Sequence, residues 1–381
     1  MRVVTMTWTS TSQRSDSRLE PSRIRLARER RGLSKVALAQ VLNITPRALQ
    51  NYETEGAPVT KAGEIAHALH VAPSFFTLEP IDMIDVEQGY FRARRRATAR
   101  QLGSARAAAS IGVELYTWIA ERFRLPQVMV PDFDQHDPEQ ASSALRAFWG
   151  RGHEPLPNLI QLAEAHGIRV LSLPAGAETV DAFSLWLDGV PHVFLATHKT
   201  AERSRFDLAH EIGHLVLHSR VPADQGIDAT YAKLIEKEAD AFASAFLMPR
   251  ESLLAHSGRE PAVPQILHLR SHYKVSAMAT TKRLADIGRL SEWNYRQNCV
   301  QLSQRGFRTS EPGGIPAERS RVFATVFTSL RGQHISVGQV AADLGILPDE
   351  LHGLTFGQAT YSIDGDRATT HAPRPHLRVV R

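Results

Sequence analysis

The chain has 381 residues, of which 43% are hydrophobic, and a formal net charge of +5. This length predicts about two to four domains with cores of their own, and the modest positive charge permits binding to phosphate without conferring sequence preference. A run of about 20 apolar residues is absent from the sequence, which argues against a membrane protein. Cys299 is the one cysteine, and the polar N-terminal segment lacks the apolar core of a signal peptide, so we expect a reduced, cytoplasmic protein.

The first 80 residues combine a polar leader with a series of short helices. Residues 1–21 are rich in Ser, Thr and Arg and are expected to be disordered, whereas residues 22–80 are expected to form one helical domain. Ser34 and Thr45 are typical helix N-cap residues, and Pro46 fits the first position of the third helix, where its missing N–H is no loss. The short connection between the second and third helices is typical of a helix-turn-helix.

This domain resembles the lambda-repressor-like (XRE) DNA-binding domain. The resemblance implies that the third helix enters the major groove of DNA and contacts base edges there. The residues that we assign to DNA contact are Lys35, Pro46, Arg47, Gln50 and Asn51. Further candidates for phosphate contact are Arg28, Arg31 and the cluster Arg92, Arg94, Arg95 and Arg96. The alternative is a small helical bundle that contacts another protein.

Residues 81–152 are expected to form a helical connector, which three short strands follow. Apolar residues alternate or cluster in IRVLSL, DAFSLWL and PHVFLA, and Asp188 and Gly189 favour a hairpin between the last two segments. Such a strand at the edge of a sheet can hold an extended peptide by strand addition. Phe183 and Trp186 would line the resulting cleft or, as single aromatic residues more often do, belong to the core.

The segment AHEIGHLVLH places His210, Glu211 and His214 in an HExxH arrangement within an apolar helix. Residues four apart lie on one face of a helix, so both imidazoles can bind one metal ion while the glutamate acts on a water molecule. A catalytic zinc site also needs a third protein ligand and one open position. The alternative is a pair of histidines with structural roles, although Gly213 within the helix indicates that another element approaches closely.

The third ligand is expected on a second helix, EKEADAFASAFLMP. Glu236 and Asp240 lie four residues apart there, and we assign Glu236 as a metal ligand and Asp240 as the carboxylate that orients a ligating histidine. Glu238 is expected to face solvent. The alternative is that all three carboxylates form a solvated helix face above an apolar stripe.

Two other sources of the third ligand are excluded. His218 would lie roughly 12 Å from His210 along the helix axis, which is too far for both to bind one ion. The metzincin pattern requires a glycine and a histidine where this chain has Leu217 and Arg220.

Together these segments resemble the ImmA/IrrE-type metallopeptidases, which have a gluzincin-like core. The family's HExxH motif falls on His210, Glu211 and His214, and its E-x-x-A-[ND]-x-F-A motif falls on Glu236, Ala239, Asp240, Phe242 and Ala243. The resemblance covers about residues 155–290, within a domain that we place at 153–295. It implies a zinc-dependent endopeptidase with Glu211 as catalytic base, which cleaves or relieves a repressor protein in stress, phage or mobile-element circuits. His198, where many relatives have asparagine, is a candidate for oxyanion stabilisation together with His218 and Tyr231.

The remaining segments are expected to be a linker at 296–316, a helical module at 317–358 and a tail at 359–381. In the module, Ser336 is a predicted helix cap and Pro348 a predicted first helical residue. We interpret the module as a packing or dimerisation unit, with DNA binding as the alternative. The predicted fold class is mainly α with a small β-sheet (α+β): an all-α helix-turn-helix domain, a gluzincin-like peptidase domain with a short sheet, and a C-terminal helical domain.

Three functions remain open. The first is a DNA-binding regulator with a Zn2+-dependent endopeptidase domain that cleaves a partner such as a repressor or antitoxin. The second is a transcription regulator or toxin–antitoxin component whose peptidase-like domain binds or senses a partner without cleaving it, and the third is a toxin with a structural metal. The intact set of ligands and base favours the first. The expected partners are DNA, a protein substrate and, in a homodimer, a second copy of the chain.

Overall fold

The computed structural model describes residues 18–84, 89–90, 98–134, 136–173, 181–219 and 229–360. Within these residues the chain is mainly α-helical with one small sheet, which confirms the predicted fold class. Residues 1–17 of the predicted leader, residues 361–381 of the predicted tail and the arginine cluster after the first domain lie outside the described residues. The last residues of the predicted leader are ordered, because Leu19 is buried and a helix begins at Pro21. In the described part of the chain, no helix is long and apolar enough to cross a membrane.

Four short α-helices form the N-terminal region: α1 (Pro21–Arg30), α2 (Lys35–Val41), α3 (Pro46–Glu55) and α4 (Ala62–Leu69). The predicted caps are confirmed, because the Ser34 hydroxyl accepts the amide of Ala37 and the Thr45 hydroxyl accepts that of Ala48, each at 3.1 Å. Pro46 occupies the first position of α3, as predicted. These local signals fix where each helix begins, and apolar side chains from all four helices are buried together.

Three further helices and four strands follow: α5 (Ala99–Ala120), α6 (Pro138–Phe148), α7 (Leu159–Ala165), β1 (Gly89–Tyr90), β2 (Arg169–Leu173), β3 (Ala182–Leu187) and β4 (Val190–Ala196). The strand order in the sheet is β1-β3-β4-β2, with β2 parallel to β4 and β3 antiparallel to it. The predicted hairpin is confirmed. Its turn residues Asp188 and Gly189 both have positive φ, at 47° and 76°, as a two-residue type I′ turn requires.

Strand β3 is not a free edge of the sheet along its whole length. Gly89 and Tyr90 pair with β3 in antiparallel fashion, opposite Leu185 and Ser184 respectively, so β1 is the edge on this side. At these two positions the backbone of β3 has a partner within the chain, whereas strand addition of a peptide needs an unpaired edge.

The region after the sheet consists of six helices: α8 (Ala201–Leu217), α9 (Ala229–Leu247), α10 (Arg250–His256), α11 (Val263–Tyr273), α12 (Ala277–Asp286) and α13 (Glu292–Gln304). The segment 296–316 was predicted as a linker, but it is helical as far as Gln304. The Ser291 hydroxyl caps this helix and Leu302 is fully buried, whereas Trp293 and Val300 are exposed, so its apolar residues do not mark a single buried face.

Three helices end the described chain: α14 (Arg321–Gly332), α15 (Val337–Asp343) and α16 (Pro348–Leu354). Ser336 caps α15 with a capping box and Pro348 is the first residue of α16, as predicted. We refer to residues 321–354 as the C-terminal module. It packs against the N-terminal helices, α5 and the sheet, which agrees with its interpretation as a packing unit.

The two faces of the sheet belong to two different hydrophobic cores. On β2, Leu171 joins the core formed by α1–α5 and the C-terminal module, whereas Val170 joins the core formed by α6–α13. On β4, Phe194 joins the first of these cores and Val193 joins the second. The helix that carries the HExxH motif, α8, therefore lies on the opposite face of the sheet from α1–α4.

Candidate metal centre and DNA-binding surface

The first two donors of the candidate site come from the middle of α8. Thr200 caps this helix, and His210, Glu211 and His214 are all at most 1% exposed. The two histidines are one turn apart, and their Nε2 atoms lie 3.0 Å from each other. The two rings therefore direct their Nε2 atoms towards one point.

Gly213 explains how α9 comes close enough to supply the third donor. A Cβ atom at this position would lie 3.0 Å from the Phe242 ring and 3.4 Å from the Cα of Ala239, both on α9. The missing side chain lets the two helices pack closely. The close approach that the sequence indicated at Gly213 is therefore that of α9.

Glu236 on α9 faces both histidines. Its Oε2 lies 3.6 Å from Nε2 of His210 and its Oε1 lies 3.7 Å from Nε2 of His214. Among the described residues, His210, His214 and Glu236 are the group whose ligand atoms all lie within 4.8 Å of one another. The structure brings together the three residues that we assigned as metal ligands.

These distances fit a tetrahedral zinc ion. With metal–ligand bonds of about 2.0–2.2 Å and tetrahedral angles, two ligand atoms are roughly 3.3 Å apart. The three measured separations, from 3.0 to 3.7 Å, lie on both sides of that value. Two imidazole nitrogens and one carboxylate oxygen are also a donor set that catalytic zinc sites use.

Each histidine has a further partner at Nδ1. For His210 it is Asp240, whose Oδ1 lies 2.8 Å away, where the sequence placed an orienting carboxylate. Because a carboxylate accepts, Nδ1 carries the proton and Nε2 is turned towards the site as a lone-pair donor. In the absence of a cation, burial lowers the pKa of His210, but hydrogen bonds to Asp240 and Glu236 raise it to about 9.

The partner of His214 at Nδ1 is His218, to which we had not assigned an orienting role. Nδ1 of His218, which directly follows α8, lies 3.1 Å from Nδ1 of His214, and Nε2 of His218 lies 3.1 Å from Oε2 of Glu238. Glu238, which we expected to face solvent, is 36% exposed and also contacts His218. The spacing of four residues between His214 and His218 was the available signal, because it places both rings on one face of the helix.

Glu211 is directed towards the sheet, where Ser184 of β3 donates a hydrogen bond of 2.7 Å to its Oε2. Burial raises the pKa of Glu211, and His210 and the Ser184 hydroxyl counteract this effect in part, which leaves a value of about 7. A carboxyl group with this pKa can both accept and release a proton near neutral pH. Sequence reasoning missed Ser184, since nothing in a strand sequence indicates which helix residue it faces.

The oxyanion candidates have different surroundings. His218 contacts Nδ1 of His214, on the side of that ring away from the metal site, while His198 is exposed and Tyr231 is 44% exposed on α9.

The two aromatic residues of β3 have different surroundings. Phe183 is fully buried and stacked on Phe194, and the half-buried Trp186 donates to the carbonyl of Leu215. Phe183 therefore belongs to the core.

The predicted DNA-contacting side chains share one exposed surface. Arg47, Gln50 and Asn51 are exposed on α3, and Pro46 is exposed at its start. Lys35 at the start of α2 hydrogen-bonds to Gln50, so it lies beside the same helix. An exposed polar face on the second helix of the motif is what recognition of a major groove requires.

The proposed phosphate contact of Arg28 is wrong, whereas that of Arg31, whose side chain is 26% exposed, stays a prediction. Arg28 is 7% exposed and pairs with the buried Glu53, and Arg31 donates to the carbonyls of Leu69 and His70. Both guanidinium groups thus satisfy partners inside the protein.

Comparison with known families agrees with this geometry. Residues 163–285 match the model of the M78 peptidase family, described as an IrrE N-terminal-like domain, and residues 24–76 match a helix-turn-helix family. No curated protein matches the chain at a significant level. Residues 24–76 are thus similar to a helix-turn-helix domain and residues 163–285 to an IrrE-like domain of the peptidase type, in agreement with the two sequence resemblances.

Proposed function

We propose that this protein is a DNA-binding regulator with a zinc-dependent endopeptidase domain, which cleaves a partner protein such as a repressor or antitoxin. The observation that carries the proposal is the triangle formed by the ligand atoms of His210, His214 and Glu236, with Glu211 next to it on α8. A structural zinc site is usually closed by four protein ligands, whereas three ligands beside a buried acid suit catalysis.

The chain supplies both the binding and the proton transfer. His210 and His214 would hold the cation, with Glu236 as the third ligand. When bound, zinc acts as a Lewis acid that makes water more acidic and polarises a peptide carbonyl. Glu211 takes a proton from the attacking water and delivers it to the leaving amine, and its pKa of about 7 suits both steps. Ser184 holds the carboxylate of Glu211 in place during this transfer.

The helix-turn-helix domain supports the choice of a repressor or antitoxin as the substrate class. Arg47, Gln50 and Asn51 on the exposed face of α3 would contact base edges, while Lys35 and the N-terminus of α3 at Pro46 would contact the backbone. A homodimer would match a two-fold symmetric operator. Binding beside other regulators on DNA would raise the effective concentration of the peptidase domain near such proteins.

The decisive experiment compares wild type with Glu211→Gln in cells. We expect both forms to bind one zinc ion per chain and to fold equally, while one partner protein is lost only in cells with wild type. The matched control is Glu292→Gln, which changes a carboxylate that is 77% exposed on α13 and should behave as wild type. Quantitative proteomics reads out the cleaved protein, and less than half a zinc ion per purified chain would contradict the proposal.

A second candidate function is partner binding without cleavage. It is favoured by the pairing of Gly89 and Tyr90 with β3, because this pairing occupies part of the strand that an extended substrate would use. In that case the proteomes of cells with wild type and Glu211→Gln would be identical, and both forms would repress or activate the same genes.

A further inference from the structure

The two histidines of the triangle, His214 and His210, have different hydrogen-bond partners at Nδ1. His210 has a carboxylate directly at Nδ1, at 2.8 Å, whereas His214 has another imidazole there and the carboxylate of Glu238 stands behind it. His214 and His218 are buried, at 0% and 3% exposure, while the Glu238 side chain is 36% exposed. Two successive contacts therefore connect the buried His214, through His218, to the partly exposed Glu238.

The direction of the hydrogen bonds between His214, His218 and Glu238 follows from the carboxylate of Glu238. A carboxylate only accepts, so Nε2 of His218 carries a proton that it donates to Glu238. In a neutral imidazole the other nitrogen is then a bare acceptor, so Nδ1 of His218 accepts from Nδ1–H of His214. The proton of His214 is thus fixed on Nδ1, and its Nε2 is left as a lone-pair donor that points towards His210 and Glu236.

The geometry does not suit a second metal ion between His214 and His218. The two Nδ1 atoms are 3.1 Å apart, but Glu238 contacts the opposite nitrogen of His218 and cannot bind an ion placed between the two Nδ1 atoms. The contact between the rings is therefore a hydrogen bond.

We propose that His218 and Glu238 are positioning residues that hold His214 in the tautomer and orientation that bind the metal. The inference rests on the metal site of the proposed function and adds two residues to it. Neither residue touches the cation. Removing a partner that orients a ligating histidine typically weakens metal binding by about 10- to 100-fold.

The test measures zinc affinity of the full-length chain by competition with a chromophoric chelator. His218→Leu removes the acceptor for His214, and we expect about a tenfold to hundredfold loss of zinc affinity. His218→Asn places its Oδ1 close to the position of Nδ1 and should restore most of the affinity. A merely structural role of the imidazole would not distinguish these two variants, which are similar in size.

Glu238→Ala tests the outer contact without changing a buried residue, because alanine offers no acceptor to Nε2–H of His218. We expect weaker zinc binding than in wild type, and the double variant with His218→Leu should be no weaker than His218→Leu alone, because both changes interrupt the same chain. The matched control is Glu251→Ala. Glu251 pairs with His153 at 3.8 Å on the surface, with both side chains more than 60% exposed, so its change should leave zinc affinity unaltered.

The outcomes separate this inference from the proposed function. If wild type fails to bind zinc, the metal site itself is wrong and the inference is overturned with it. If wild type binds zinc and Glu238→Ala, His218→Leu and His218→Asn all bind within twofold of it, only the inference is overturned. Should His218→Leu not fold, Glu238→Ala against Glu251→Ala decides, and equal affinities for those two would reject the proposal.

Discussion

The hydroxyl of Ser184 donates a hydrogen bond of 2.7 Å to the carboxylate of Glu211, and both residues are buried. A carboxylate that loses a buried donor loses the free energy of that bond and keeps its desolvation penalty. Ser184→Ala should therefore lower the free energy of unfolding by roughly 1–3 kcal/mol. Because the Ser184 hydroxyl lowers the pKa of Glu211, the same change should also raise that pKa.

Chemical denaturation of metal-free protein measures the effect of Ser184→Ala on stability. Ser142→Ala is a suitable control, since Ser142 is equally buried but its hydroxyl donates only to the backbone carbonyl of Glu139. A loss of stability in Ser184→Ala no greater than in Ser142→Ala would show that the contact with Glu211 contributes little.

Gly213 offers a second prediction, because it allows α8 and α9 to approach each other. In Gly213→Val the added atoms would meet the Phe242 ring and the backbone of Ala239, and overpacking of this kind lowers stability by roughly 1–3 kcal/mol. Since α9 also carries Glu236, we expect zinc affinity to fall as well. Thermal unfolding and zinc competition measure the two effects.

Gly63 is the matched control for Gly213. It also lies within a helix, α4, but a Cβ atom there would meet nothing within 4 Å. Gly63→Ala should raise the stability by up to about 1 kcal/mol through helix propensity alone. A stabilising effect of similar size in Gly213→Ala would mean that α8 and α9 are not packed as closely as described.

The sequence predicted those features that depend on short spacings. The caps Ser34, Thr45 and Ser336 and the hairpin turn at Asp188 lie within a few residues of the groups that they satisfy, so local patterns suffice. The triangle of ligand atoms was also anticipated, because the HExxH spacing places two histidines on one helix face and the spacing of Glu236 and Asp240 on the second helix pointed to Glu236, which the family resemblance also implies.

What the sequence did not predict depends on contacts between distant segments. Arg28 is a basic residue on a helix, and only the packed structure shows that it pairs with Glu53 in the interior. His218 and Glu238 are 20 residues apart and meet because α8 and α9 pack side by side. A charge in a sequence does not reveal whether its partner is solvent, nucleic acid or another part of the chain.

His192 predicts a loss of stability in mild acid. It is 5% exposed on β4, donates from Nδ1 to the carbonyl of Val190, and burial, with a smaller contribution from Arg169, lowers its pKa from 6.5 to about 4. The unfolded chain takes up the proton at a higher pH than the folded chain does. The stabilising contribution of neutral His192 is thus complete above pH 6.5 and is lost as the pH falls to about 4, by up to about 3 kcal/mol.

Denaturant unfolding between pH 7.5 and pH 4 would measure this dependence as roughly 1.4 kcal/mol per pH unit. His192→Asn keeps a donor for the carbonyl of Val190 and has no group that titrates, so it should flatten the curve in this window. The exposed His198 provides the control, and His198→Asn should leave the curve unchanged. An equal slope in His192→Asn and wild type would rule out His192 as the source.

Arg47 tests the DNA-binding surface. Its side chain is exposed on α3, and a guanidinium group that contacts a base contributes about 1–3 kcal/mol to discrimination between sequences. Arg47→Ala should therefore weaken binding to a site selected from random DNA by wild type more than binding to a scrambled duplex. Arg296→Ala on α13, where the side chain is 73% exposed, is the control. Equal weakening on both duplexes would make Arg47 a phosphate contact.

Glu350 on α16 ties the C-terminal module to the DNA-binding region. Its Oε1 lies 2.7 Å from Nε of Arg30 on α1, and both side chains are at most 5% exposed, while Arg31 lies 3.4 Å from its other oxygen. Removing one partner of a buried pair leaves the other charge without compensation. Glu350→Gln should therefore lower the free energy of unfolding by about 3 kcal/mol.

The exposed pair of Lys282 and Asp286 on α12 is the control for Glu350, and Asp286→Asn should change stability by less than about 1 kcal/mol. If Arg30 and Glu350 act as a pair, Arg30→Met combined with Glu350→Leu should recover much of the stability that Glu350→Gln loses, because neither charge then remains buried. Denaturant unfolding of the full chain measures all three variants. If Glu350→Gln were no more destabilising than Asp286→Asn, the C-terminal module would be held to α1 by its apolar contacts alone.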